Sequence, residues 1–164
     1  MTRNIGLHLP LLSICLISLI LGVYSYNAYL DSYSILYNFN VFISSINVFK
    51  EKEAYWIRIN FSIFNPSESE LKLVYLKPEI YLNGKVVVLE EPSFIRFIGA
   101  NEVSLYAHKN TTVSFQKSVK SEDFQEVYEN AEKRYWLVNV YLTLRGVPLL
   151  ELATLQRYKQ FIEG

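Results

Sequence analysis

Beyond its first third, the chain offers little that could do chemistry: the carboxylate pairs Glu68/Glu70, Glu90/Glu91 and Glu122/Asp123, and one histidine, His108. A carboxylate pair can divide acid and base roles or hold calcium. A lone imidazole needs partners, and the single cysteine, Cys15, lies far upstream, so neither a Cys-His nor a paired-His arrangement can be assembled. The sequence also lacks His/Cys clusters at zinc spacing and Gly-rich loops of the phosphate-binding kind. Each feature present has a plainer reading. Glu68 and Glu70 flank a serine in a turn, Glu90 and Glu91 precede Pro92, the Glu122/Asp123 pair suits a helix N-terminus, and His108 shares a turn with Lys109 and Asn110. The sequence therefore predicts a non-enzymatic protein with no catalytic residues, no cofactor and no metal ligands.

The elements that carry these residues follow from an unusual charge pattern. After Arg3 the next charged side chain is Asp31, and the one after that is Lys50. Residues 9–23 are almost wholly apolar and merge into uncharged, Tyr-rich sequence, long enough for a bilayer-spanning helix of about 20 residues. Residues 1–30 read as a retained anchor, with a cleaved secretory signal, cut near Val23 or Ser25, as the rival. Arg3 and the amino group are the cations before the span, which predicts a cytoplasmic N-terminus and an extracytoplasmic C-terminal domain at the cell membrane. Tyr24, Tyr26, Tyr29 and Tyr33 would seat the outer end at the headgroups. Ile14 before Cys15 argues against a lipoprotein anchor, leaving that thiol a buried bystander.

All 16 acidic residues and 15 of 16 basic ones lie past the span, a balance of 15 − 16 = −1. Scattered basic residues at that balance exclude a nucleic-acid footprint. No disulfide can staple the exported part, so stability must come from packing, which 13 Tyr, 10 Phe and 2 Trp can supply.

Past a Tyr-rich linker over 31–40, residues 41–156 read as one domain of short strands, with a polar tail over 157–164. Residues 41–49 form a strand, 50–53 a charged turn, and from Tyr55 onward Ile57, Ile59, Phe61 and Ile63 take one face against Trp56, Arg58, Asn60 and Ser62 on the other. Asn65-Pro66-Ser67 stops that strand. Strands follow over 71–76 and 79–82, with Pro78 marking an edge or bulge, and Asn83-Gly84 turns the chain into a returning strand over 85–89. A loop is expected over 90–100, two strands over 103–106 and 111–116, and a helix from Ser121 whose hydroxyl caps it and whose stripe is Phe124, Val127, Tyr128 and Ala131. Residues 135–144 and 147–155, joined at Arg145-Gly146, are the most apolar strands. Many short strands without a βαβ rhythm predict an all-β antiparallel sandwich.

The order of Asn65-Pro66-Ser67, Leu82-Asn83-Gly84, Thr111-Thr112-Val113-Ser114-Phe115, a short helix and Leu144-Arg145-Gly146-Val147 resembles the water-stress and hypersensitive-response (WHy) domain of the group-2 late-embryogenesis-abundant proteins. The similarity covers residues 39–155. It implies a seven-stranded immunoglobulin- or fibronectin-like sandwich with one short helix, an archaeal-type anchored member, and a structural role for Asn65, Pro66, Asn83, Gly84 and Gly146. The Tyr- and Phe-rich sequence before Phe49 and the long loop over 90–100 depart from the pattern.

The resemblance implies a membrane-tethered domain that acts through an envelope or integral-membrane protein partner or in stress protection; binding of lipid or another hydrophobic ligand is the alternative. Phe94, Ile95, Arg96, Phe97 and Ile98, apolar residues around one Arg, are the candidate interface, or else a strand tucked under the sandwich. Asn60 and Asn110 begin glycosylation sequons, and Asn110, in a turn, is the accessible one.

Overall fold

The computed structural model describes residues 5–146 and 152–158. The expected stretch 147–151, the tail beyond 158 and residues 1–4 lie outside them. Helix α1 (Ile5–Asn38) has 34 residues and so runs about 51 Å at ~1.5 Å per residue. Residues 10–35 are long and apolar enough to cross a membrane, and nearly all of that stretch is exposed. The expected linker over 31–40 is helical through Asn38 instead, and Asn40 already opens the first strand. Neither Gly nor Pro interrupts residues 23–39, and Ala28, Ser32 and Ile35 line one buried face whose row Phe39 continues; Ile35 and Phe39 join the domain core. The opposite side carries Tyr29, Tyr33 and Tyr37, all exposed and stacked one turn apart, with centroids 6.3 and 5.7 Å apart.

Among the described residues, nine strands follow in antiparallel sheets. β1 (Asn40–Glu51), β2 (Ala54–Phe64) and β7 (Asn110–Ser118) form a three-stranded sheet in the order β1-β2-β7. In the six-stranded sheet, β3 (Leu71–Leu82) and β8 (Trp136–Arg145) are central. β9 (Leu152–Tyr158) lies beyond β8, and the short strands β4 (Lys85–Val86), β5 (Ile95–Arg96) and β6 (Val103–Leu105) line the other side of β3. A short helix, α2 (Phe124–Asn130), links β7 to β8. Alternating residues of both sheets enter a single core: Val41, Ile57, Ile59, Phe61 and Ile63 from one, Leu71, Leu73, Val138, Val140 and Leu144 from the other. Most of these have no accessible surface at all, so no water-sized space borders them.

The departures from sequence expectation have local causes. Residues 71–82 make one strand rather than two, because Pro78 pairs with Val140 on one side while its other side falls in the gap between β5 and β4. The bulge comes earlier, between Leu73 and Tyr75. Asn83 and Gly84 take φ of 50° and 81°, as the Asn-Gly turn requires, yet the returning strand lasts two residues. After Val87, whose N–H still donates to Ile80 O of β3, the chain crosses to the other sheet, where Glu90 N–H donates to Ser118 O and Lys120 N–H to Val88 O. The Ser121 hydroxyl does not cap α2; it accepts from the Val88 N–H at 2.7 Å, and α2 begins at Phe124 after Asp123 with no side-chain cap. Ala131 closes α2 rather than extending its stripe. The segment expected as loop contains β5.

α1 enters beside Asn40, which pairs with Phe64, which in turn pairs with Asn110. At the same end lie the β6–β7 turn, the start of β3 and the end of β8, since Asn65 N–H reaches Lys109 O, Leu71 pairs with Leu105 and Lys72 with Arg145.

Candidate functional site

Asn65 is wholly buried and every polar atom of its side chain is used. Its Nδ2 donates to Ser69 O and Leu105 O, both at 2.8 Å, and its Oδ1 accepts from the Ser67 N–H and hydroxyl at 3.0 and 2.7 Å. One amide thus ties the end of β2 to the 66–70 loop and to β6. Asn83 acts similarly, its Oδ1 accepting from the Tyr135 N–H at 2.8 Å. Gly146 sits at φ +95°, where a Cβ would lie 3.1 Å from Glu70 O.

The chemistry-capable residues are dispersed into structural pairs. Glu68 meets His108 Nε2 at 3.1 Å on the exposed β6–β7 turn, where His108 has φ +53°. Glu70 is bonded by Lys72, which holds its carboxyl below the usual range and raises the Lys72 ammonium. Glu90 accepts from the Ser118 hydroxyl. Glu91 accepts from the Ser93 N–H at 2.9 Å, which lowers its pKa. Glu122 and Asp123 border an apolar groove of about 350 Å³ between β4 and α2, walled by Leu82, Val86, Val88, Phe124 and Val127. Among the described residues, no three of His, Cys, Asp and Glu gather as a metal site would need.

The 94–98 segment divides by face. Ile95 and Phe97 pack against the core, and the Phe97 N–H donates to Val74 O at the bulge of β3. Phe94 lays its ring against Tyr75 at 5.3 Å. Arg96 and Ile98 project outward, Ile98 being 68% exposed. They border an open depression of about 580 Å³ on the outer side of the larger sheet, shared with Tyr75, Thr143, Glu102 and Arg145. The Arg145 guanidinium is held by the mostly buried carboxylate of Glu102 at 2.5 Å, and Arg96 adds a second exposed positive charge. Both alternatives in the sequence reading therefore hold in part: the segment is a strand, and its alternate side chains line a surface groove near the end where α1 enters.

The outer face of the smaller sheet was legible only as the polar half of an alternation. Across it, register aligns Phe49 with Trp56 and Ser118, Asn47 with Arg58 and Gln116, and Ser45 with Asn60 and Ser114. Asn60 Nδ2 donates to Ser45 Oγ at 2.8 Å and Ser114 Oγ to Asn60 Oδ1 at 2.6 Å. That engagement makes Asn60 a poor sequon acceptor, while Asn110 is exposed at the start of β7.

No family model matches this chain, and no curated protein does. Among solved structures, the chain is similar to one described as a protein from Archaeoglobus fulgidus, with 14% identity and a TM-score of 0.50 over 75% of this chain and 96% of that one. At that identity the likeness concerns the arrangement of sheets and not an activity.

Proposed function

We propose that this protein is a membrane-tethered, non-enzymatic domain on the outer face of the cell that works through contacts with an envelope or integral-membrane protein, presented by the groove around Arg96 and Ile98. The observation that carries the reading is the division of the 94–98 segment. Two side chains fix it to the core and two are offered outward, a guanidinium beside an apolar residue, at the end of the domain nearest α1. Anchors of this mixed kind suit partner recognition.

The reading includes an immunoglobulin- or fibronectin-like sandwich, supported by two sheets that share one core. Kinship with the WHy domain, and with it a role in stress protection, belongs to the proposal and rests on the Asn65-Pro66, Asn83-Gly84 and Gly146 positions alone. The cytoplasmic N-terminus rests on Arg3 before the span, against Asp31 as the first charge after it. Close packing between the sheets favours protein contacts over an acyl chain held inside. The structural pairing of Glu68, Glu70, Glu90 and Glu91 supports the non-enzymatic assignment.

A photoreactive amino acid at Ile98 of the full-length chain, irradiated in intact cells, is expected to give one discrete protein adduct. The same residue placed at Lys52 in the distant β1–β2 turn should not. Identical adduct patterns at both positions, or none at Ile98, would contradict the proposal.

A further inference from the structure

We infer that the outer face of the three-stranded sheet binds a neutral oligosaccharide. The Phe49 and Trp56 rings lie nearly parallel, 12° apart with centroids at 6.5 Å, at the end of β2 far from α1. Aromatic faces carry negative quadrupole density, which attracts the polarised C–H face of a pyranose. The Arg58 guanidinium is pinned twice, over one face of the Phe49 ring at 5.4 Å and by its Nε–H donated to Gln116 Oε1 at 2.8 Å, which leaves Trp56 as the main stacking ring. A guanidinium has five N–H donors, so this one bond leaves its terminal nitrogens to face hydroxyls. One row further, the Asn60 amide is held between Ser45 and Ser114. Fixed amides, hydroxyls and a guanidinium next to stacking rings need little ordering on binding.

Charge and area select the occupant. In the four consecutive cross-strand rows from Phe42-Ser62-Thr112 to Phe49-Trp56-Ser118, Arg58 is the one ionic strand residue, and the Glu90 carboxylate bonded to Ser118 at the end row offsets its charge. Solubility alone would be served by the Lys72, Lys77 and Glu79 type of face that β3 shows. The complement of an almost uncharged, hydroxyl- and amide-rich face is a ligand rich in hydroxyls and without charge. Three strands at ~4.8 Å and four rows at about 6.7 Å cover roughly 400 Å². That is about half of the ~800 Å² per partner that a stable protein interface needs, but enough for several sugar rings.

The test uses the full-length protein in lipid nanodiscs, because maltoside detergents would compete. Calorimetric titration with maltohexaose, cellohexaose, mannohexaose and chitohexaose should reveal saturable binding to at least one. Trp136 is buried, so the more exposed Trp56 should also report that ligand by fluorescence. Trp56→Ala and Arg58→Ala should each weaken binding about tenfold or more, while Lys77→Ala on the other sheet leaves it unchanged; Arg58 is exposed, so its variant keeps the fold. Absence of binding to all four sugars up to about 10 mM, or undiminished binding by Trp56→Ala and Arg58→Ala, would overturn the inference. Binding confined to an acidic oligosaccharide such as oligogalacturonate would overturn it equally, by assigning the face to a charged ligand.

Discussion

A single side chain, Asn65, makes the corner between β2 and the larger sheet, since its amide satisfies two carbonyls and accepts two donors without access to water. Truncation would strip the Leu105 carbonyl and the Ser67 N–H of this partner, while the Ser67 hydroxyl keeps its bond to Ser69 O, and unmet buried groups cost more than a typical bond contributes. Asn65→Ala is therefore expected to lower unfolding stability by about 3 kcal/mol, read as a shift in the urea midpoint with unchanged slope. Asn65-Pro66 was visible in the sequence as a strand stop. The reach of its amide to Leu105, 40 positions on, was not, because nothing local distinguishes a solvated turn Asn from a buried one. The same limit applied to Arg96 and Phe97, neighbours in sequence that the strand pleat sends to opposite sides.

At the scale of elements, strands with clean alternation, such as β2, and turns with obligatory chemistry, such as Asn83-Gly84, were legible. Elements set by distant pairing were not: β5 needs β3 to exist, and α1 continues through Asn38 because Ile35 and Phe39 are buried in the domain. The β1–β2 turn shows the cost of a rule broken. Lys52 and Glu53 take φ of 49° and 78° without a glycine. Replacing the pair by Asn-Gly should stabilise the domain by about 1–2 kcal/mol, the strain of a left-handed L-residue, seen as a raised melting temperature. The contact between α2 and β2 predicts a pH response. A hydrogen bond from the Tyr55 hydroxyl holds the Glu129 carboxyl below its usual range and raises the Tyr55 phenol. The Glu129 contribution is present above the ordinary carboxylate pKa and lost as pH falls through the lowered one; the Tyr55 contribution is present below pH 10 and lost as pH rises beyond it. Near-UV circular dichroism should register loosening at both extremes, and Glu129→Gln should remove the acid response of this contact.

The whole molecule reads as an apolar rod fused to a close-packed domain of two sheets. Sequence alone exposed the rod, through a charge-free run between Arg3 and Asp31, and the mostly antiparallel β character, through short alternating segments. How the sheets are ordered, which strands are edges and where the grooves open depend on pairings over 46 and more residues, which no local pattern encodes. The rod bears on the proposed role, because a domain continuous with a helix long and apolar enough to cross a membrane would meet its partners at the membrane surface, on one side. The measurement that decides this is labelling of Lys52→Cys, in a Cys15→Ser background, by a membrane-impermeant maleimide on intact cells. The account predicts full labelling of the exposed turn without permeabilisation. Labelling only after the membrane is opened would place the sheets in the cytoplasm and contradict it.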